Sequence, residues 1–138
     1  MSQTDRHQGQ NEVLIRKYFL SCSYGSAAEI ADFFSTNAAI YDTNHQPILS
    51  KDRIGHFWVD IREHWNGAVW HVDSVIESGE SAAIEWTMKG MIDGEEVVFH
   101  GSEHYAITAG LIHEIRQYWS WKRNVLTSGL LGYDYPNE

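Results

Sequence analysis

Residues 95–121, EEVVFHGSEHYAITAGLIHEIRQYWSW, predict two long antiparallel strands joined by a tight turn at 108–110. Side chains alternate between the two faces of a strand, so every second residue shares a face. One face of the first strand carries Phe99, Gly101, Glu103, Tyr105 and Ile107. Glu103 is therefore expected among aromatic and apolar neighbours. Either this assignment of faces is wrong and Glu103 lies at the surface, or Glu103 is an acid in a pocket.

The second strand of this hairpin separates aromatic from charged residues in the same way. One of its faces carries His113, Ile115, Gln117, Trp119 and Trp121. The opposite face carries Ile112, Glu114, Arg116, Tyr118 and Ser120. Because the two strands pair, we expect the aromatic face of the second to share a surface with Glu103.

Three amphipathic helices are predicted in the first half of the chain. Apolar residues recur at helical spacing over residues 11–24, 26–34 and 50–66, and polar or glycine residues mark the ends of these segments. A short apolar run at 38–41, between the second and third helices, predicts a first strand. The runs 68–77 and 81–91 are rich in β-forming residues and precede the hairpin.

This order predicts an α+β fold in which three N-terminal helices pack on a strongly curved antiparallel sheet. With 138 residues, of which 43% are hydrophobic and 13% aromatic, the chain can bury one sizeable core. We expect a disordered N-terminal tail over residues 1–10, a single domain over 11–124 and a C-terminal tail over 125–138. The position of the C-terminal tail is left open.

Charge and composition argue against several classes of partner. The formal net charge is −9 and the ten Lys and Arg residues are scattered, so binding to nucleic acid is not expected. No apolar segment is long enough for a signal peptide or a membrane span, and the single cysteine, Cys22, cannot form an internal disulfide. These features predict a cytoplasmic protein without a membrane partner.

The eight histidines do not follow a metal-binding pattern. His100 and His104 lie four residues apart on a strand, and His56 and His64 lie eight apart on a helix, so neither pair has the spacing of a zinc site. The sequence also contains no glycine-rich phosphate loop and no nucleophile elbow. We therefore expect no metal and no cofactor.

Four phrases carry a resemblance to a known family: YGSAAEIADFFSTNAAIYD, KDRIGHFW, AAIEWTMKG and GLIHEIRQYW. From about Val13 to Trp121 the chain resembles the nuclear transport factor 2 (NTF2-like) superfamily, and in particular the SnoaL-like polyketide cyclases and the ketosteroid isomerases. The resemblance implies a cone-shaped, cystatin-like α+β roll with an apolar pocket between the helices and the concave side of the sheet. Members use this pocket for several reactions or for binding alone, so the fold does not select a function.

The ketosteroid isomerase pattern can be carried onto three positions. Tyr18 matches the oxyanion-hole tyrosine, Asp42 matches the general base, and Glu103 matches an aspartic acid that the isomerase keeps protonated as a second donor. The glutamate at this last position is a departure that moves the carboxyl by about one methylene. The resemblance also implies apolar pocket walls at Trp58, Trp86, Met88, Tyr105 and Trp119.

These residues predict a cofactor-free acid/base enzyme of the isomerase, cyclase or dehydratase type that acts on a small apolar carbonyl compound. Asp42 would remove a proton next to the carbonyl, while Tyr18 and a neutral Glu103 would stabilise the enolate oxygen. In the structural alternative Asp42 only caps a turn, Glu103 pairs with a cation or reaches solvent, and Tyr18 anchors the core. The functional alternative is a non-catalytic module of the same fold that binds a hydrophobic ligand or dimerises.

Several roles stay open at this level. His45, in the loop after Asp42, is a second possible base that the isomerase pattern lacks, and His71 and His113 could act if they face the pocket. The resemblance implies a homodimer through the convex face of the sheet. We expect that face to carry Glu85, Thr87, Lys89, His100, His104, Glu114, Arg116 and Tyr118.

Overall fold

The computed structural model describes residues 8–138, which form three helices and one six-stranded sheet. The helices are α1 (Gln10–Tyr24), α2 (Ala27–Ala31) and α3 (Lys51–His64). The strands are β1 (Phe34–Asp42), β2 (Ile48–Leu49), β3 (Val69–Ser78), β4 (Ser81–Ile92), β5 (Glu95–Thr108) and β6 (Leu111–Tyr118). The predicted α+β fold is confirmed. Residues 1–7 of the expected N-terminal tail lie outside the described residues, and α1 already begins at Gln10.

The sheet has the order β2-β1-β6-β5-β4-β3. Strands β3 to β6 form the predicted antiparallel meander, in which each strand pairs with the next along the chain. The first strand joins this meander by a different pairing, because β1 pairs with β6 in parallel. This pairing brings the end of β1, at Asp42, beside Gln117 in the middle of the sheet.

The second helix is shorter and the first strand longer than the pattern predicted. Phe33 and Phe34 were expected on the helix, but α2 ends at Ala31 and Phe34 begins β1. The Phe33 carbonyl accepts the backbone N–H of Ile112, which ties this segment to β6 rather than to the helix. A five-residue helix gains little from its own hydrogen bonds, so pairing with the sheet determines where the helix ends.

Two residues of the hairpin, Ile112 and His113, face the opposite way from their predictions. The register of β5 and β6 shifts after Ala106, where Ile107 pairs with Ile112 although Ala106 pairs with Glu114. His113 is the extra residue of this bulge and lies exposed, while Ile112 is buried. The expectation that His113 shares a face with Ile115 was therefore wrong, and His113 does not line the cavity described below.

The C-terminal segment docks on the edge and the convex side of the sheet. The Leu126 carbonyl accepts the backbone N–H of Val98 at 2.9 Å, beyond the end of β6. Further on, the Tyr135 ring stacks on His100 with a centroid separation of 3.5 Å. His100 and Thr87, both expected on an open charged face, are consequently buried. Homodimerisation through this face stays a prediction.

Helix α1 is held in place by two groups from other elements. Gly9 has no side chain to cap the helix, and the Glu77 carboxylate on β3 accepts the backbone N–H groups of Asn11 at 3.3 Å and Glu12 at 2.9 Å instead. At the other end, the Arg62 guanidinium donates to the carbonyl oxygens of Cys22 and Gly25. Within the described residues, no helix is long and apolar enough to cross a membrane.

We predict that Glu77→Ala lowers the free energy of unfolding by about 1–2 kcal/mol, because it removes a carboxylate that accepts two N–H groups at a helix start. Urea denaturation followed by tryptophan fluorescence measures this change. Glu96→Ala, at an exposed position on β5, is the matched control and should change stability by less than about 0.5 kcal/mol. Equal effects of the two substitutions would contradict the capping role.

Candidate functional site

A cavity of about 460 Å³ lies between the helices and the concave side of the sheet. Tyr18 of α1, Asp42 of β1 and Glu103 of β5 all line it, so the three predicted catalytic residues come together at one cavity. Four of the five predicted wall residues also line it: Trp58, Trp86, Met88 and Trp119. Five further aromatic residues line the cavity, and Trp121 among them was expected on the aromatic face of the second hairpin strand: Phe19, Phe57, Trp65, Trp70 and Trp121.

The sheet register explains why two carboxyl groups meet here. Gln117 of β6 pairs with Asp42 of β1 on one side and with Glu103 of β5 on the other. Neighbouring strands lie about 5 Å apart, and residues directly opposite each other project to the same face. Asp42, Gln117 and Glu103 therefore form a row across three adjacent strands, and all three line the cavity.

Glu103 is an acidic group that the fold buries in the cavity wall. Its residue is 3% exposed, and the Tyr105 hydroxyl donates to Oε1 at 2.8 Å. Burial is the main cause that raises the pKa of the Glu103 carboxyl from 4.5 to about 8; the hydrogen bond from Tyr105 opposes the rise and the charge of Asp42 adds to it. Glu103 is therefore mostly protonated at neutral pH. Tyr105, predicted as a wall residue, supports Glu103 and is not among the residues that line the cavity.

Gly101 leaves space for two indole side chains, Trp86 and Trp119, on the strand that carries Glu103. A Cβ at this position would lie 2.5 Å from the Trp86 ring and 2.8 Å from Trp119 Cβ, both far inside van der Waals contact. The absence of a side chain lets the two indoles pack edge to face, with ring centroids 5.9 Å apart. A glycine two residues before Glu103 therefore allows an aromatic wall where a larger residue would push the indoles apart.

Tyr18 supplies a second neutral donor. The residue is 1% exposed and packs edge-on against Phe34, with ring centroids 5.2 Å apart. Burial raises the pKa of the Tyr18 phenol well above its ordinary value, and neighbouring Cys22 and Glu103 add to the rise. Within residues 8–138, the buried Tyr18 hydroxyl and the indole N–H groups of Trp58 and Trp86 make no hydrogen bond of good geometry, although the Tyr18 hydroxyl lies close to Cys22 and to the Trp58 indole. These three donors are available to a bound molecule.

Asp42 lies in a polar corner of the same cavity. Its Oδ2 accepts the Gln117 amide at 2.5 Å and the Trp119 indole N–H at 3.0 Å, and its Oδ1 accepts the backbone N–H and the side-chain amide of Asn44. The hydrogen bond from the Asn44 backbone N–H shows that Asp42 caps a turn, as the structural alternative predicted. Asp42 therefore caps this turn and is also one of the residues that line the cavity. His45 Nε2 lies 3.6 Å from Oδ2.

Sequence reasoning missed some of these partners. Gln117 and Asn44 were not singled out, although the alternation placed Gln117 on the aromatic face and Asn44 follows Asp42 by two residues. Trp65 belongs to the apolar spacing that predicted the third helix, whereas Trp70 lies at the start of β3, where alternation did not place it at the cavity. The residues that the structure describes contain no group of three His, Cys, Asp or Glu side chains placed to hold a metal ion.

The model of the SnoaL-like domain family matches residues 15–115, and the chain belongs to this family. No curated protein matches the sequence.

Three solved structures illustrate the shared fold. A protein of unknown function with a cystatin-like fold from Methylobium petroleophilum is 24% identical, with a TM-score of 0.71 over 91% of this chain and 87% of that one. A proposed SnoaL-like polyketide cyclase from a Jannaschia species is 12% identical, with a TM-score of 0.69 over 81% and 89% of the two chains. A proposed ketosteroid isomerase from Kribbella flavida is 19% identical, with a TM-score of 0.66 over 84% and 82%. These likenesses establish the fold.

We predict that the stability of the protein falls as pH rises from 4.5 to 8 because of Glu103. In this window the folded state keeps a proton that the unfolded state has lost, so raising the pH favours unfolding. Glu103→Gln removes this term. The free energy of unfolding of Glu103→Gln minus that of wild type should therefore increase between pH 4.5 and 8, by an amount on the order of 4–5 kcal/mol.

Urea denaturation at a series of pH values measures this difference. Glu96→Gln, on an exposed part of β5, is the control and should give a flat difference. A flat difference for Glu103→Gln as well would mean that the folded protein does not bury a neutral carboxyl.

Proposed function

We propose that this protein is a cofactor-free acid/base enzyme that converts a small apolar carbonyl compound by isomerisation, cyclisation or dehydration inside the cavity. The single observation that supports it most is the pairing of a protonated carboxyl, Glu103, with a hydrogen-bonded carboxylate, Asp42, at one apolar cavity. Two carboxyl groups whose surroundings separate their protonation states are the usual signature of an acid and a base that work together.

The acid end consists of Glu103 and Tyr18. Both hold their protons at neutral pH because burial raises the pKa of each group. Both can therefore donate a hydrogen bond to a substrate carbonyl oxygen, and that bond strengthens as the oxygen becomes an enolate. Because the donors are already buried and packed, little solvent reorganisation is needed when charge develops.

The base end is built on Asp42. Four N–H donors surround this carboxylate, an arrangement that suits the ionised form, which only accepts hydrogen bonds. Gln117 lies between Asp42 and Glu103 in the sheet and keeps the two ends about two strand spacings apart. A substrate that spans this gap would meet the acid end with its carbonyl oxygen and the base end with its acidic carbon.

The walls favour a flat, apolar substrate. The cavity volume of about 460 Å³ lies in the range of small-molecule sites, roughly 300–1,000 Å³. Trp58 packs against Trp70 with ring centroids 5.5 Å apart, and Trp86 packs against Trp119. Indole surfaces of this kind suit a cyclic or aromatic molecule. Relatives of the same fold described as a polyketide cyclase and a ketosteroid isomerase agree with this class of substrate.

A binding module is the second candidate. The free donors of Tyr18, Trp58 and Trp86 could simply hold an oxygen-bearing hydrophobic ligand, since a binding pocket needs only a few placed polar groups. In either case we propose a cytoplasmic protein that forms a homodimer.

The test uses 2-tetralone, a bicyclic enolisable ketone, in deuterium oxide. We predict that the protein accelerates exchange of the hydrogens next to the carbonyl, followed by proton NMR. Tyr18→Phe should slow exchange by about 10²–10³-fold, because it removes one donor to the enolate oxygen. Tyr24→Phe, an exposed position at the end of α1, is the matched control and should leave the rate unchanged.

Binding of 2-tetralone is measured in parallel by quenching of tryptophan fluorescence. Exchange no faster than in buffer, together with saturable binding, would support the binding module. Exchange that is equally fast in Tyr18→Phe and wild type would contradict the proposed acid end.

A further inference from the structure

The Asp42 carboxylate has no lone pair left for a substrate proton. A carboxylate offers about four acceptor positions on its two oxygens. Asn44 occupies two positions on Oδ1, and Gln117 and Trp119 occupy two on Oδ2. The Asp42 side chain also has no accessible surface, with a relative exposure of 0%. To act as the base itself, Asp42 would have to give up one of these bonds first.

His45 stands next to this carboxylate and is reachable. Its side chain is 32% exposed, it lines the cavity, and its ring packs against Phe57 of α3 with centroids 5.1 Å apart. Nδ1 lies 2.9 Å from the Gln46 carbonyl oxygen. A carbonyl oxygen can only accept, so in neutral His45 the proton is on Nδ1 and the lone pair is on Nε2. That nitrogen is the one 3.6 Å from Asp42 Oδ2.

We infer that His45 is the group that exchanges the proton with the substrate, and that Asp42 is a positioning residue that balances its charge. This inference rests on the proposed function and refines its base end. The C–H bond next to the carbonyl breaks, its electron pair moves into the enolate held by Tyr18 and Glu103, and the proton forms a bond to His45 Nε2. The imidazolium faces the Asp42 carboxylate until the proton returns to the product, so no co-reactant is needed.

The distance between the two groups fits this division of roles. A separation of 3.6 Å is too long for a strong hydrogen bond but short enough for the carboxylate to stabilise a nearby positive charge. The hydrogen bonds from Gln117 and Trp119 hold the carboxylate still, and the Gln46 carbonyl holds the ring of His45. The orienting acceptor on Nδ1, which general-base catalysis by histidine requires, is therefore the Gln46 carbonyl, and Asp42 is a fixed negative charge beside the reacting Nε2.

The kinetic test compares His45→Gln, Asp42→Asn and wild type in the 2-tetralone exchange assay. His45→Gln should lose about 10²–10⁴-fold in exchange rate while it still quenches tryptophan fluorescence with 2-tetralone. Added imidazole should restore part of the rate in His45→Ala. His56→Gln, an exposed histidine on α3 outside the cavity lining, is the matched control and should exchange at the wild-type rate.

Full exchange activity in His45→Gln, with activity lost in Asp42→Asn, would overturn the inference and make Asp42 the direct base. That result would leave the proposed function intact, whereas exchange by wild type no faster than in buffer would reject the proposed function for this ketone.

The protonation pattern of the His45 ring, measured by NMR, tests the inference without any enzymatic turnover. Long-range nitrogen–proton NMR correlation, assigned with His45→Gln, reports which ring nitrogen of His45 carries the proton in the neutral form. The inference requires the proton on Nδ1. A proton on Nε2 would leave no lone pair beside Asp42 and would overturn it, even if 2-tetralone is not a substrate.

Discussion

The removal of the Glu103 carboxyl from water is the constraint on which the site depends. An ionised carboxylate is costly in an apolar interior. Burial therefore raises the pKa of the Glu103 carboxyl to about 8. Gly101 maintains that burial because it lets Trp86 and Trp119 pack over the strand. The hydrogen bond that the Tyr105 hydroxyl donates to the carboxyl acts in the opposite direction and limits the rise in pKa. The burial that opposes ionisation is therefore what makes Glu103 a usable donor at neutral pH.

The strand pairing of the sheet positions the two carboxyl groups of the site. The parallel pairing of β1 with β6 and the antiparallel pairing of β5 with β6 place Asp42 and Glu103 on either side of Gln117. The same glutamine donates to Asp42, so it separates the two acids and supports one of them. The charge of Asp42 in turn helps to keep Glu103 protonated. The row therefore places a carboxyl that burial keeps protonated near a carboxyl that four N–H donors surround.

Local patterns were enough to predict much of this arrangement. Alternation along residues 95–107 indicated that Glu103 faces an aromatic wall, and helical spacing indicated the three helices. The parallel partner of β1 could not be predicted, because its two strands are about 70 residues apart and no turn links them. The bulge at His113 depends on a register shift that alternation cannot reveal. The C-terminal segment has too few apolar residues at regular spacing to indicate that Tyr135 packs on His100.

The measurement that tests this account most directly is a carboxyl NMR titration of Glu103, assigned by comparison with Glu103→Gln. The account predicts a midpoint near 8, and a lower midpoint in Asp42→Asn, because the neighbouring charge is removed. A Glu103 midpoint near the ordinary value of 4.5 would mean that the carboxyl is ionised at neutral pH. The cavity would then lack the acid end on which the proposed chemistry rests.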